Sequence, residues 1–283
     1  VRDHENYILR LNWNMNADTL FGFFGLIQTG DFGAGEINPR QYLVKSFADD
    51  VDMSIWTIGL DGGTKFGDWF LNWDLMYQGG SFDNVTFNDS EFSGVTNTRD
   101  FDLGAYFAGI EGGVKLGKNK FTGTFWYASG DDNPNDGDFD GFLATDLDRA
   151  DSIGIFQGLY TDDSTYFTER PYILDKGFMM IKGAVDHQFS EKFSFGGALM
   201  YMMTAEDIEY SNAVGTQNFS NSDVGFEINA YMKYMLFSNV EFALNAGYLF
   251  AGDALDAFEV DAIRDGSSDE NIFGSSMRIR YKF

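Results

Sequence analysis

The fold class predicted for this chain is all-β: an antiparallel up-and-down barrel that crosses a membrane. Three observations predict it. Segments with one apolar face and one polar or small face recur along the 283 residues, as half-buried strands of period two require. The connections between them alternate strictly between very short and long. The formal net charge of −25 lies entirely in the long connections.

Eleven strands are read, at 7–16, 19–28, 53–66, 69–78, 101–117, 120–130, 173–189, 192–205, 224–237, 239–252 and 271–283. In the first, Tyr7, Leu9, Leu11, Trp13 and Met15 oppose Arg10, Asn12 and Asn14. In the second, the run from Leu20 to Ile27 does not alternate clearly. In the fourth, Trp69, Leu71, Trp73, Leu75 and Tyr77 oppose Asn72, Asp74 and Gln78. In the tenth, Val240, Phe242, Leu244, Ala246, Tyr248 and Phe250 oppose Glu241 and Asn245. In the last, Phe273, Ser275, Met277, Ile279, Tyr281 and Phe283 oppose Gly274, Ser276, Arg278, Arg280 and Lys282.

A soluble β-protein alternates in the same way, with its apolar face inward. Two features select the lipid-facing arrangement. The apolar faces are charge-free for about ten residues, the length of a tilted membrane strand; a charge at the bilayer midplane costs about 2–4 kcal/mol. Aromatic residues recur near strand ends, as at Trp69, Phe121, Phe189, Phe193, Phe237, Phe273 and Tyr281, where interfacial girdles sit.

The short turns are Ala17-Asp18, Gly67-Asp68, Lys118-Asn119, Ser190-Glu191 and Ser238-Asn239, each a two-residue hairpin signal. The long connections are 29–52, 79–100, 131–172, 206–223 and 253–270; they hold 31 acidic and 6 basic residues, and the rest of the chain holds 13 of each. Transmembrane barrels keep short turns on the periplasmic side and long loops outside. The acidic charge therefore gathers at the outer end.

Composition closes off other classes. No run approaches the roughly 18 apolar residues of a membrane helix. Cysteine is absent, which removes disulfides, thiolate chemistry and cysteine metal sites together. Such an acidic chain is a poor nucleic-acid partner, because phosphate contacts need clustered Lys and Arg. Residues 1–30 lack a signal-peptide pattern, so a mature chain or a fragment of one is expected, forming a single barrel domain over 1–283.

The end of the chain, Met277-Arg278-Ile279-Arg280-Tyr281-Lys282-Phe283, resembles the C-terminal assembly signal of bacterial outer-membrane β-barrel proteins. The resemblance implies a bacterial outer-membrane location, with outer-membrane lipid, lipopolysaccharide and the barrel assembly machinery as partners. Tyr127-Ala128-Ser129-Gly130-Asp131-Asp132, a strand running into a large acidic loop, resembles the alginate-export-type porins. That family implies a monomeric barrel that passes a polyanion or other small solutes along a basic lumen. One departure stands. Single-chain bacterial barrels usually have an even strand count. Eleven strands leave the first one descending, so an ascending strand before Val1, and twelve or more in all, is the expectation.

By parity the inward basic residues are Arg10, Lys65, Lys115, Lys182, Lys233, Arg278, Arg280 and Lys282, and the inward acids include Asp61, Asp74, Glu111, Asp186, Glu227 and Glu241. Two readings stand side by side: a polar pathway whose basic positions attract anions, or cross-strand ion pairs that neutralise one another. Closure of the barrel would bring Arg10 near Arg278 and Arg280. In the longest loop, Asp132, Asp136, Asp138 and Asp140 offer oxygens suited to calcium. The EF-hand pattern fails there, because Pro134 takes the third ligand position when Gly137 is set at the sixth; a solvated acidic loop is the competing reading. The stretch Ile153–Tyr160 is too apolar for a free loop and is expected to fold into the lumen, meet a neighbouring subunit or extend the wall.

No catalytic set is visible. A barrel hydrolase needs a histidine poised beside Asp or Ser. His4 lies in a terminal segment, and His187 has lipid-facing parity near a short turn. The sequence thus predicts a non-enzymatic channel for passive diffusion of small hydrophilic solutes, carboxylates among them. The alternative is a structural or adhesive barrel whose acidic loops bind calcium or a surface partner.

Overall fold

Alternation of period two, with glycine and aromatic residues spread through it, leaves the backbone no partner but a neighbouring strand. In a computed structural model, eleven long strands accordingly form one antiparallel meander in which each pairs with its neighbours in sequence. The structure describes residues 3–32, 47–48, 51–87, 99–133, 136–143, 176–212, 215–258, 264–268 and 271–282. The long strands are β1 (Asp3–Asn14), β2 (Thr19–Phe32), β4 (Val51–Phe66), β5 (Trp69–Phe87), β6 (Arg99–Leu116) and β7 (Asn119–Ala128), followed by β9 (Phe178–Ser190), β10 (Phe193–Ser211), β11 (Asn218–Phe237), β12 (Val240–Ala251) and β13 (Ile272–Tyr281). Two short pieces join them: β3 (Phe47–Ala48) pairs with β5, and β8 (Asp138–Phe139) pairs in parallel with β6. A 3₁₀ helix spans Asp253–Phe258.

All eleven predicted strands are present, with shifted ends. On the long-loop side β5 runs on to Phe87, β10 to Ser211, and β11 begins at Asn218. The extensions hold Asp, Ser and Asn, because strands beyond the hydrocarbon need no apolar face, and so they read as loop in the sequence. Three turns also need correction. The first is the four-residue stretch 15–18, the third is Gly117-Lys118, and the fourth is Glu191-Lys192. Gly67 and Gly117 have φ of 64° and 62°, so glycine opens each turn in the left-handed region that mirror-image hairpin turns require. At this rim each turn bonds to the next hairpin. The carbonyls of Asp18, Asp68, Lys118, Lys192 and Asn239 accept from the amides of Lys65, Lys115, Gln188, Met235 and Lys282.

The register explains the composition. Five glycines lie directly opposite an aromatic residue whose ring covers them: Gly59 under Phe24, Gly62 under Trp73, Gly79 under Trp56, Gly113 under Phe70 and Gly196 under Tyr231. A Cβ at any of these glycines would strike the ring, so large and small residues alternate across the wall. The outward face carries the apolar band. Trp13 is 64% exposed, Ile181 60% and Met277 68%, a surface that hydrocarbon covers and water does not.

The sheet is open. β1 and β13 are its edges, and eleven antiparallel strands make both run from the long-loop end to the short-turn end.

Candidate lumen and constriction

Inward side chains divide into two storeys. Near the short turns the face is charged. Arg10 on β1 reaches across β2 to Asp61 on β4, with Nη2 and Oδ1 2.8 Å apart. Gly22 on the intervening strand makes this possible, because a Cβ there would lie 2.8 Å from the Arg10 nitrogen and 2.5 Å from the Asp61 oxygen. Arg278 pairs with Glu241 at 3.4 Å, while Arg280 stands directly opposite that same Glu241 in the register. Asn72 donates to Glu111 at 3.5 Å. The Tyr231 hydroxyl bonds to Asp186 over Gly196. Lys120, the first residue of the predicted strand 120–130 but not among the inward cations named there, faces inward between Lys115 and Asp186, and its ammonium lies 4.8 Å from the centre of the Phe70 ring. Together Lys65, Lys115, Lys120, Lys233, Arg280 and Lys282 form a basic collar at the short-turn mouth, against Asp186 and Glu241.

Near the long loops the inward face is apolar, contrary to a polar lumen along its whole height. Met53, Ile55, Phe82, Phe101, Leu103 and Ala105 from β4, β5 and β6 pack with Phe139 and Leu143. On the other side Met180, Met200, Met202, Val224 and Leu249 from β9 to β12 pack with Ala254 and Leu255 of the 3₁₀ helix. Phe107 joins the two clusters, touching Phe142 on one side and Trp126 on the other. Glu227, predicted to line the pore, is fully buried at this boundary, in one row with Lys182 and Met200.

Two inward-folded segments build the upper storey, and hydrogen bonds hold the first in place. Gln78, facing in from β5, donates Nε2 to the Leu143 carbonyl at 2.9 Å and to Thr57 Oγ1 at 3.2 Å. Its Oε1 accepts from the Leu143 amide at 2.8 Å. Ser129, just past β7, accepts from the Tyr106 amide at 2.9 Å and donates to the Asp140 carbonyl at 2.6 Å. The Phe142 amide donates to the Ser129 carbonyl at 2.9 Å. Residues 140–143 are thereby stitched to the wall. The lumen, a neighbouring subunit and the wall were the three expected places for Ile153–Tyr160, which lie outside the described residues; an earlier part of the same loop turns in. In the sequence Gln78 is one polar residue of the inward face it shares with Asn72 and Asp74, and nothing there pointed to a docked loop.

The root of this loop is acidic and partly dry. Asp131 is buried, its carboxylate accepts from the Asn133 amide at 3.0 Å, and Lys176 donates to its carbonyl at 2.7 Å. Burial outweighs that amide and the Lys176 charge, and pushes the Asp131 carboxyl up to about 6. Burial, then Asp138, Asp132 and Asp136, raise Asp140 as well. Tyr210, above the membrane on β10, is raised by burial and by its bond to Asp256 of the 3₁₀ helix. Among the described residues no group of three or more His, Asp or Glu is arranged to hold a metal ion. Asp136 instead accepts from the Asp138 amide at 3.0 Å.

The predicted Arg10–Arg278–Arg280 cluster is not assembled, because β1 and β13 lie at opposite edges and two of the three arginines pair locally. Asp74 and Lys233 face inward as predicted. His187 faces outward beside the third turn, with Nδ1 2.6 Å from Asn119 Oδ1 and its ring against Phe189. The side chain of His4 lies outside the described residues. At the outer rim Asp3, Asp31, Asp52 and Asp83 stand abreast on four strands.

No protein-family model and no curated protein sequence matches the chain. Solved structures that it resembles are outer-membrane proteins. The FrpB iron transporter from Neisseria meningitidis is 8% identical, with a TM-score of 0.47 over 86% of this chain and 35% of that one. A Pseudomonas aeruginosa FadL homologue is 12% identical, with a TM-score of 0.41 over 98% of this chain and 66% of that one. OmpF of Salmonella typhi is 9% identical, with a TM-score of 0.39 over 99% and 90%. The chain thus spans about a third of the FrpB chain and just under two thirds of the FadL homologue. The wall's own chemistry gives its location: an apolar outward band, short turns at one end and acidic loops at the other make this a multi-pass β-barrel protein of the bacterial outer membrane.

Proposed function

We propose that the chain forms the wall of an outer-membrane channel for small hydrophilic solutes, anions and especially carboxylates among them, and that residues 139–143 and 253–258 narrow its outer half. The basic collar supports this reading most. Six inward cations face the two inward acids Asp186 and Glu241 at the short-turn mouth, where the turns add the exposed Asp18, Asp68 and Glu191, and a guanidinium such as Arg280 holds a carboxylate by two hydrogen bonds. The same solute class is implied by the likeness of Tyr127–Asp132 to alginate-export-type porins. Lipid, lipopolysaccharide and the assembly machinery are the partners that this location brings. The apolar upper storey favours a second reading, a plugged barrel that serves as a scaffold or adhesin.

Planar bilayers separate the two. The channel reading expects unitary conductance steps from the purified protein. The double substitution Arg278→Ser with Arg280→Ser should move reversal potentials toward cation selectivity and weaken block by carboxylates, while the apolar face and folding stay intact. Absence of steps under all voltages supports the scaffold. Steps whose selectivity and block ignore the double substitution remove these arginines from the path.

A further inference from the structure

On its outward side the wall carries an apolar groove of about 930 Å³ that runs from Leu71 of β5 to Ile228 of β11. Its floor is Gly112, Gly123 and Gly183, abreast on β6, β7 and β9, and Leu71 and Leu199 end the row on either side. Phe121 and Val185, the next outward pair toward the short turns, bound its lower edge. These glycines differ from the five that an aromatic ring covers. A Cβ at Gly183 would meet nothing within 4 Å, and one at Gly112 or Gly123 would make only ordinary contacts. The packing of the wall itself therefore does not require them. Glycine inside a strand, with open space outside it, marks a place where another molecule comes close to the backbone. In hydrocarbon an apolar partner gains nothing by leaving water, so close packing of this kind is what holds it.

Below the floor, on the same outward face, lies a polar rim. Asn119 and His187 pair across β7 and β9, four residues from Gly123 and Gly183. That is about 13 Å along the strands, within the half-thickness of a hydrocarbon core about 30 Å deep. His187 Nδ1 lies 2.6 Å from Asn119 Oδ1, which leaves the Asn119 amide nitrogen as the donor for an incoming acceptor. Lys118, in the turn beside them, donates its ammonium to the Phe189 carbonyl at 3.1 Å, and so its charge sits beneath β9 and the centre of the groove. Glu191 in the next turn, and Asp68 in the turn beyond on the other side, are the acids of this stretch of rim.

We infer that the groove seats one glycerophospholipid of the leaflet on the short-turn side, with acyl chain along the glycine floor, phosphate on Lys118 and the Asn119 amide, and a head-group amine toward Glu191. Charge complementarity selects this occupant: an ammonium–phosphate contact is charge-assisted, and the nearest acid lies where a zwitterionic head group carries its cation. The inference rests on the membrane location and is independent of what the lumen conducts.

Native mass spectrometry of the folded full chain in detergent tests it. The protein is supplied with dioleoyl phosphatidylethanolamine or with dioleoylglycerol, which has the same tails and no phosphate. The expected result is one phospholipid held per chain and severalfold less diacylglycerol. Gly123→Leu with Gly183→Leu fills the floor and should lower phospholipid occupancy severalfold. Lys118→Ala, in an exposed turn, should lower it severalfold as well and leave diacylglycerol unchanged. Occupancy that ignores both variants means an unselective lipid annulus and overturns the proposal. Equal retention of the two lipids overturns it too. So does a dimer or trimer that the double leucine variant dissociates, because the groove then seats a second copy. A heat-shifted band on gels confirms that each variant is folded; if the double leucine variant does not fold, Lys118→Ala decides alone.

Discussion

Single residues decide how the interior is arranged. Gly22 is an unremarkable glycine in the sequence, yet its missing side chain lets Arg10 and Asp61 meet across a whole strand at 2.8 Å. Such a pair is invisible to parity, which gives a facing and no partner. Gln78 is similar: its inward parity was plain, and its three bonds to Thr57 and Leu143 depend on a loop that arrives from 65 residues away. Asp131, at the root of that loop, sets its response to pH. Its carboxyl is raised from the ordinary 3.8 to about 6, chiefly by burial, with Asp136 and Asp140 adding to the rise and Lys176 and the Asn133 amide opposing it. A raised carboxyl binds its proton more tightly in the docked loop than in the free one. Its contribution to docking is therefore complete below the ordinary value and is lost as pH rises through about 6. Hydrogen-exchange protection of the Phe142 and Leu143 amides should be severalfold greater at about pH 5 than at about pH 7.5. Asp131→Asn should flatten the difference. Protection that grows with pH in the unsubstituted protein would contradict the assignment.

At the scale of the strand, alternation was legible nearly everywhere, and the exception has a physical cause. On β2, Leu20, Phe24 and Leu26 face inward while Phe21, Phe23 and Ile27 face outward, so both faces are apolar and the period vanishes. Phe24 faces inward because its ring fills the space over Gly59. The third turn slipped by one residue because Gly117, and not the following polar pair, opens it. The membrane span itself was read from charge-free faces, and it can be tested one face at a time. Leu244 points outward between Met232 and Met277, mid-strand. Leu244→Arg should cost about 2–4 kcal/mol and block assembly, whereas Ile279→Arg, one step from the rim, should cost about 0–1 kcal/mol. Asn245→Arg should be tolerated, because Asn245 faces inward and bonds to Ser276 at 3.1 Å. Urea unfolding in lipid vesicles ranks the three, and equal losses at all three positions are incompatible with a lipid-facing Leu244.

The whole molecule segregates its chemistry along one axis. Acidic loops lie at one end, an apolar and aromatic storey beneath them, a charged storey below that, and a basic collar at the short turns. The two ends were legible, because loop length and charge are sequence properties. The apolar storey was not. Met180, Met200 and Met202 carried no signal in the sequence; they pack against Ala254 and Leu255 of the 3₁₀ helix at Asp253–Phe258. Asp256 of that helix is completely buried, so the acidic connection has a dry inner turn. The orientation of the axis is the central claim, since location, selectivity and constriction all follow from which end faces outward. Cysteine labelling with a membrane-impermeant maleimide tests it most directly, in a chain with no cysteine of its own. Asp136→Cys and Ser267→Cys, both exposed in long loops, should react in intact cells. Lys118→Cys, exposed in a short turn, should react only after the outer membrane is permeabilised. Labelling of Lys118→Cys in intact cells alongside the other two would contradict the account.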